Sequence, residues 1–421
     1  MSIGGGNGKQ AVPAVGVYGE GARKTVAVHP FVEKVDRAGI VDIASKLIAV
    51  PSPSGDEKAV MDFVMQWCDQ RGLRYTIVAN DPMRPNVIVS VGDPASGPTI
   101  AMNGHLDTVP VSDPDKWKTG PYEPVVSDDG KKIFGRGASD MKSAVGVMLY
   151  VIDVLKDAPL KGCLQAHVVS DEETSAKYGS IHVIDEIQAG RLPRPDYVFI
   201  GEKSDLKVRN AERGILGLEV IFHGRASHTA AARATGVNAI AKAAKGILAL
   251  EQDLDKFHPA VGKPVISINM IEAGVAHNVV PGECKFSIDR RLIPGETKES
   301  VVEEIRETLD AAGADDPNYS YTLIVDPTGD FIAANITDEH SPFVQAIQES
   351  IRVVTGEEPE YFVAWAGATD GRFYRQAGID TVGYGPGGEN AHGANEAGII
   401  EDLVTQGKVY VETVCRLLDV K

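Results

Sequence analysis

Between Ile40 and about residue 212 the chain alternates continuous apolar runs with stretches in which apolar positions recur every three or four residues. VDIASKLIAV (41–50) and AVMDFVMQWCDQRG (59–72) carry the helical period, the second closed by Gly72. PNVIVSVG and PTIAMNG read as strands, SAVGVMLYVIDVLKD as a helix, GCLQAHVVS and PDYVFIG as further strands. These strand runs are apolar throughout rather than alternating, which predicts strands covered on both faces in a mostly parallel sheet. The texture changes near Gly214. GILGLEVIFHGRASH is a strand leading into a turn, and 238–257 is an amphipathic helix expected to bury Ile240, Ala244, Ile247 and Leu254. PVISINMIEAG and ECKFSIDRRL alternate as strands, ETKESVVEEIRETLDAAG is a helix and YSYTLIV a strand, together a small α+β unit. After Thr328 the first texture returns with SPFVQAIQESIRVVTG, IDTVGYGP and EDLVTQGKVYVETVCRLLD. The expected fold is α/β: a catalytic domain over 36–213 and 331–421, an inserted α+β domain over 214–330, and a flexible N-terminal arm over 1–35.

Composition narrows the classes. A chain of 421 residues is long enough for two domains, and 43% apolar with 24% charged residues is ordinary for a soluble globular protein. A net charge of −17 argues against partners such as nucleic acid or anionic membrane, which need a basic surface. No apolar run is long enough to span a bilayer. The first residues lack the apolar core of a secretory signal, and Gly8-Lys9 is followed by Gln10, which excludes a phosphate loop. Cys68, Cys163, Cys284 and Cys415 are scattered without metal-site spacing, which suits a reduced cytoplasmic location and buried thiols.

Ligands of open α/β sheets bind beyond the carboxyl ends of the strands, so the polar residues that follow the apolar runs are the candidates for chemistry. TIAMNG runs into His105-Leu106-Asp107, LQAHVVS into Asp171-Glu172-Glu173, YVFIG into Glu202, and DTVGYGPGGENA into His392. Asp140 follows the glycine-bracketed turn FGRGA (134–138). Imidazoles and carboxylates without thiolate suit zinc, manganese or cobalt. Clustered carboxylates repel one another unless cations neutralise them. Two ions about 3.5–4 Å apart, bridged by one carboxylate, would do so. The short loop makes Asp140 the candidate bridge. Asp107 is placed to accept the His105 ring N–H that a metal does not use. Of adjacent Glu172 and Glu173, one can ligate while the other takes a proton from the attacking water.

GHLDTVP (104–110), GRGASDMKSA (135–144), SDEETSAKYGS (170–180), GE (201–202), GRASHTA (224–230), AHNVVPGE (276–283), DRRLIPGE (289–296) and AHGANE (391–396) occur in the order of a known family. Together they resemble the co-catalytic metallopeptidases and deacylases that include acetylornithine deacetylase, succinyl-diaminopimelate desuccinylase, aminoacylase and carboxypeptidase G. The resemblance runs from about residue 40 to the C-terminus. It implies one or two divalent ions per subunit, one held by His105, Asp140 and Glu202 and the other by Asp140, Glu173 and His392. It implies Glu172 as general base, and His228 reaching the partner's active site in a homodimer or higher homo-oligomer. Asn278 and Arg291 are the implied contacts to a small carboxylate-bearing substrate. The inserted domain would be lid and dimerisation unit, and the reaction hydrolysis of an amide or related C–N bond.

WAGATDGRF (365–373) keeps the Thr-Asp of the family's substrate-side loop in an uncommon form, which leaves the substrate open. An alternative within the family is hydrolytic deamination of an aromatic amino acid such as a nitro-substituted anthranilate. A non-catalytic binding protein on the same fold would lack a ligand or the base, and none is lacking. A dinucleotide-dependent oxidoreductase would need a G-x-G-x-x-G turn after the first strand, which is absent. His167 and His182 read as satisfied core or helix residues, and His223, His258, His277 and His340 as surface or loop residues.

Overall fold

The computed structural model describes residues 27–361 and 367–421. Of the arm expected over 1–35, residues 1–26 lie outside the described residues. The stretch from His29 onward is folded rather than loose. Pro30–Lys34 forms a short 3-10 helix, Val32 and Val35 are buried, and the His29 N–H donates to Glu412 at 2.7 Å.

The first sheet is built from β1 (Arg74–Val78), β2 (Asn86–Gly92), β3 (Thr99–His105), β4 (Cys163–Val169) and β5 (Tyr197–Ile200). After β5 the chain leaves it to form a second sheet from β6 (Gly214–His223), β7 (Val265–Ala273), β8 (Glu283–Leu292) and β9 (Tyr321–Val325). It then returns to complete the first with β10 (Asp380–Gly383). Strand order is β1-β2-β4-β3-β5-β10 in the first sheet and β7-β8-β6-β9 in the second.

β4, β3, β5 and β10 pair in parallel, whereas β2 runs antiparallel to β4 and β1 antiparallel to β2. The segment 86–92, expected among the parallel strands, is therefore an antiparallel extension. Continuous apolarity reports covering on both faces, not direction, and β1 is too polar and exposed to register as a strand. Successive side chains point to opposite faces. Val87, Val89, Ile100, Met102, Leu164 and Phe199 join the core beneath helices Arg37–Ile48, Lys142–Leu155 and Ile400–Leu417, while Ile88, Ala101, Val198 and Ile200 pack with helices Ser180–Gln188 and Gly371–Gln376.

The second sheet is antiparallel throughout and alternates as expected for one covered face. Its core holds Leu218, Val220, Phe222, Phe286, Ile305 and Leu309. The helix Ala239–Leu250 covers it with Ala239, Ala243, Gly246 and Leu250, not with the expected Ile240 and Ala244, which face outward. The reason is close approach: a Cβ at Gly246 would stand 2.9 Å from Phe222 Cζ, so the small residues form the packing face. The four cysteines are free and buried. Among the described residues no helix is long and apolar enough to cross a membrane.

Candidate active site

Because β4, β3 and β5 are adjacent and parallel, their carboxyl ends deliver three segments to one edge at strand spacing. His105 ends β3, Ser170-Asp171-Glu172-Glu173 follows β4, and Gly201-Glu202 follows β5. Glu172 and Glu173 sit in a turn organised by Asp171, which has φ 68°. Its carboxylate accepts the Ser175 hydroxyl and the Tyr178 N–H, each at 3.0 Å, and pairs with Arg84 at 2.7 Å.

His392 is not delivered directly by β10, as the sequence suggested. It lies in the loop of a small antiparallel sheet ordered Gly388–Glu389, Ala397–Ile399, Lys132–Phe134, Val125–Val126. That sheet also carries the turn leading to Asp140, so the two residues meet although 252 positions separate them. The Lys142 ammonium, buried beyond Asp140, donates to the Leu47 carbonyl at 3.1 Å and so anchors the turn to the end of helix Arg37–Ile48. Burial pushes that ammonium down to about 7.

The ligand candidates converge. His105 Nε2 lies 3.2 Å from Asp140 Oδ1 and 3.1 Å from Glu202 Oε1. His392 Nε2 lies 3.1 Å from Asp140 Oδ2 and 3.1 Å from Glu173 Oε1. Two sets result, His105-Asp140-Glu202 and Asp140-Glu173-His392, each with its donor atoms within 4.8 Å of one another. Asp140 belongs to both, one oxygen turned to each imidazole. Glu172 stands behind, its Oε2 4.0 Å from His105 Nε2.

Electrostatics fit the same picture. Burial pushes the Glu202 carboxyl up to about 7, with the Asp140 carboxylate adding to it. Burial also raises Glu172 well above the ordinary range. Burial opposes ionisation of Asp140 too, but the two imidazoles outweigh it and hold its carboxyl well below the usual value. Hydrogen bonds to Asp140 and Glu173 raise His392 to about 10. Three carboxylates and two imidazoles with no thiolate, drawn together at this cost, are a donor set that suits a pair of divalent cations.

The expected partnership of Asp107 with His105 holds at the residue but differs at the atom. His105 Nδ1 faces the backbone carbonyl of Asp107 at 2.9 Å, with the carboxylate farther off at 3.4 Å. A proton on Nδ1 shared with that carbonyl leaves the Nε2 lone pair for a cation. The Asp107 carboxylate is used elsewhere. It accepts the Glu172 and Glu173 N–H groups at 3.1 and 3.2 Å and the Ser54 hydroxyl at 2.8 Å. One buried side chain thereby fixes both glutamates relative to His105.

Two buried residues escaped the sequence reading. Glu396 accepts the Gly137, Ser139 and Asp140 N–H groups and pairs with Arg136 at 2.6 Å. Asp370 accepts the Ser180 hydroxyl at 2.7 Å and begins a buried chain through Asn103 and Tyr374 to His167. The only advance signals were the Glu closing AHGANE and the Asp of ATDGRF. Residues 365 and 366 of that loop lie outside the described residues.

The substrate and dimer candidates are not at this edge. His228 and Asn278 are exposed on a short antiparallel pairing of two sequence-distant segments of the α+β unit, where His228 pairs with Val279 and the Thr229 N–H donates to the Asn278 carbonyl at 3.0 Å. Arg291 forks onto Asp289 at 2.7 and 2.9 Å. Two of its five N–H donors are engaged in that fork.

Residues 101–416 match the model of Peptidase family M20/M25/M40, well over half of the chain. The chain belongs to this peptidase family. It is a metal-dependent hydrolase acting on amide bonds. Among relatives in sequence, a succinyl-diaminopimelate desuccinylase of Marinobacter nauticus is 30% identical over 331 residues, covering 77% of this chain and 84% of that protein. Among M20-type solved structures, a Staphylococcus aureus tripeptidase superposes with a TM-score of 0.71 at 20% identity, covering 91% of this chain and 99% of that one. A dinuclear metal-binding M20 peptidase of Bacillus subtilis gives 0.69 at 18% identity, covering 92% and 100%. At these identities the structures establish the shared fold.

Proposed function

We propose that this M20 member hydrolyses the amide bond of a small carboxylate-bearing N-acyl amino acid or dipeptide, with Glu172 as general base. The observation that carries the reading is Asp140, whose two carboxylate oxygens each face a different imidazole. His105, Asp140 and Glu202 would hold one cation, and Asp140, Glu173 and His392 the other. When bound, the divalent cations, taken here as zinc, manganese or cobalt, polarise the scissile carbonyl and lower the pKa of water.

The remaining work falls to the chain. Glu172 Oε2 takes a proton from the attacking water and returns it to the leaving nitrogen as the C–N bond breaks. Asp107 holds the Glu172 backbone in register for that transfer. The relationship to desuccinylases supports an N-acylated amino acid as substrate. The α+β unit would pair two subunits and present His228 and Asn278 to the partner's site. Exposed Leu248 on its helix and exposed Met270 and Ile271 on the edge strand β7 support that pairing.

Chelation should abolish hydrolysis of N-succinyl and N-acetyl amino acids, and add-back of one divalent ion at a time should restore it. Glu172→Ala should bind metal normally and lose turnover by about 10²–10⁴-fold. Full turnover in that variant refutes the base assignment. An active monomer by light scattering refutes the role of His228.

A further inference from the structure

Glu396 is fully buried and Arg136 is 1% exposed. A buried ion pair contributes little net stability, because desolvation offsets the attraction. This pair is instead wired to the peptide that carries Asp140. Glu396 Oε1 accepts the Ser139 N–H at 2.9 Å and the Asp140 N–H at 3.0 Å. Glu396 Oε2 accepts the Gly137 N–H at 3.1 Å and Arg136 Nη1 at 2.6 Å. The Glu396 carbonyl accepts the Gly135 N–H at 3.0 Å. From the other side of the pair, Arg136 Nη2 donates to the His392 carbonyl at 3.3 Å.

We propose that Glu396, backed by Arg136, is a positioning residue that sets where Asp140 and His392 stand relative to each other. It thereby sets the spacing of the two cation positions. This rests on the two-cation reading above. The other ligands depend on different supports: His105 and Glu202 are held by the ends of β3 and β5, and Glu173 by Asp107. Loss of Glu396 therefore acts unequally. The set containing both Asp140 and His392 loses two anchored members, while the His105-Glu202 side loses one.

The geometry also separates positioning from bulk packing. In Glu396→Gln the amide oxygen can keep the Ser139 and Asp140 N–H bonds. Its NH₂ must then face the Gly137 N–H and the Arg136 guanidinium, donor against donor. Shape is retained and the clamp is broken on one side.

The test titrates cobalt or zinc into the chelated full-length protein by calorimetry, for wild type, Glu396→Gln and Glu396→Ala. Thermal melts establish which variants are folded. Hydrogen exchange is followed over the peptide containing residues 135–142. The expected result is a loss of about 10- to 100-fold in affinity for one of two ions, the size typical of removing a partner that orients ligands. The other ion should weaken less, kcat should fall with KM near wild type, and amide protection over 135–142 should drop without metal present. Wild-type affinity for both ions, or unchanged protection, in either folded variant overturns the assignment. Uptake of a single ion by wild type would refute the two-cation reading, and the metal-free exchange data would then decide the role of Glu396 alone.

Discussion

His167 lies in the middle of β4, 1% exposed, with Nδ1 2.8 Å from the Tyr374 hydroxyl and Nε2 3.0 Å from Gln165 Oε1. Among the described residues no charge compensates it, and burial pushes its imidazole down from 6.5 to about 3. The sign follows from proton counting. Between these two values the unfolded chain binds a proton that the folded chain refuses, so stability falls as pH falls through that window. At pH 5 the unfolded imidazole is about 1.5 units below its pKa. At about 1.36 kcal/mol per unit, wild type has lost about 2 kcal/mol relative to pH 7.5 through this residue alone.

His167→Gln keeps a hydrogen-bonding side chain and removes the titration. Its cost at pH 7.5 should be about 1 kcal/mol, from the altered bond to Tyr374. Urea unfolding of both proteins at pH 7.5 and pH 5 gives a double difference in which every other titrating group cancels. The variant should lose about 2 kcal/mol less than wild type on acidification. An identical loss in both proteins would refute the neutral, desolvated assignment of His167.

Asp107→Asn should weaken metal binding about 10- to 100-fold, because an amide cannot accept from the Glu172 and Glu173 N–H groups and Ser54 together. Metal titration of the chelated protein checks it, and wild-type affinity would refute the anchoring role. Gly137→Ala should cost about 1–3 kcal/mol. Gly137 has φ +85°, and a Cβ there would meet Lys142 Cδ at 2.8 Å. An unchanged melting temperature would show that the turn relaxes freely. Arg290→Ala should destabilise the protein by about 1–3 kcal/mol, since it removes a buried guanidinium from Glu296 and Glu304 while Lys256 still pairs with Glu296 at 3.0 Å. Arg291→Ala breaks a partly exposed pair and should cost under about 1 kcal/mol. A rise in KM for Arg291→Ala without loss of stability would mark it as a substrate contact.

The metal-ligand candidates were legible because largely apolar runs lead up to them, so the carboxylate or imidazole that closes or follows each run is conspicuous. His105, Glu202 and the Glu172-Glu173 pair emerge this way. Strand direction was not legible, because β2 is as apolar as its parallel neighbours. The packing face of helix Ala239–Leu250 was misjudged for a related reason. Periodicity ranks side chains by hydrophobicity, while close approach to Phe222 selects Ala and Gly. Glu396 showed only as the Glu closing AHGANE, because a carboxylate serving backbone amides 256–259 residues earlier leaves no sign of that role in its own neighbourhood.

The small sheet that joins Lys132–Phe134 to Ala397–Ile399 has a consequence for biogenesis. During synthesis the early portion of the chain emerges with His105, Asp140, Glu172, Glu173 and Glu202 already translated, yet the turn bearing Asp140 still lacks the strand Ala397–Ile399 and the Glu396 carboxylate that close it. His392 emerges 252 residues after Asp140, with Glu396 just behind it. Assembly of the hydrolytic centre is thus deferred until that later segment has been made, and a product terminated before it cannot acquire the centre.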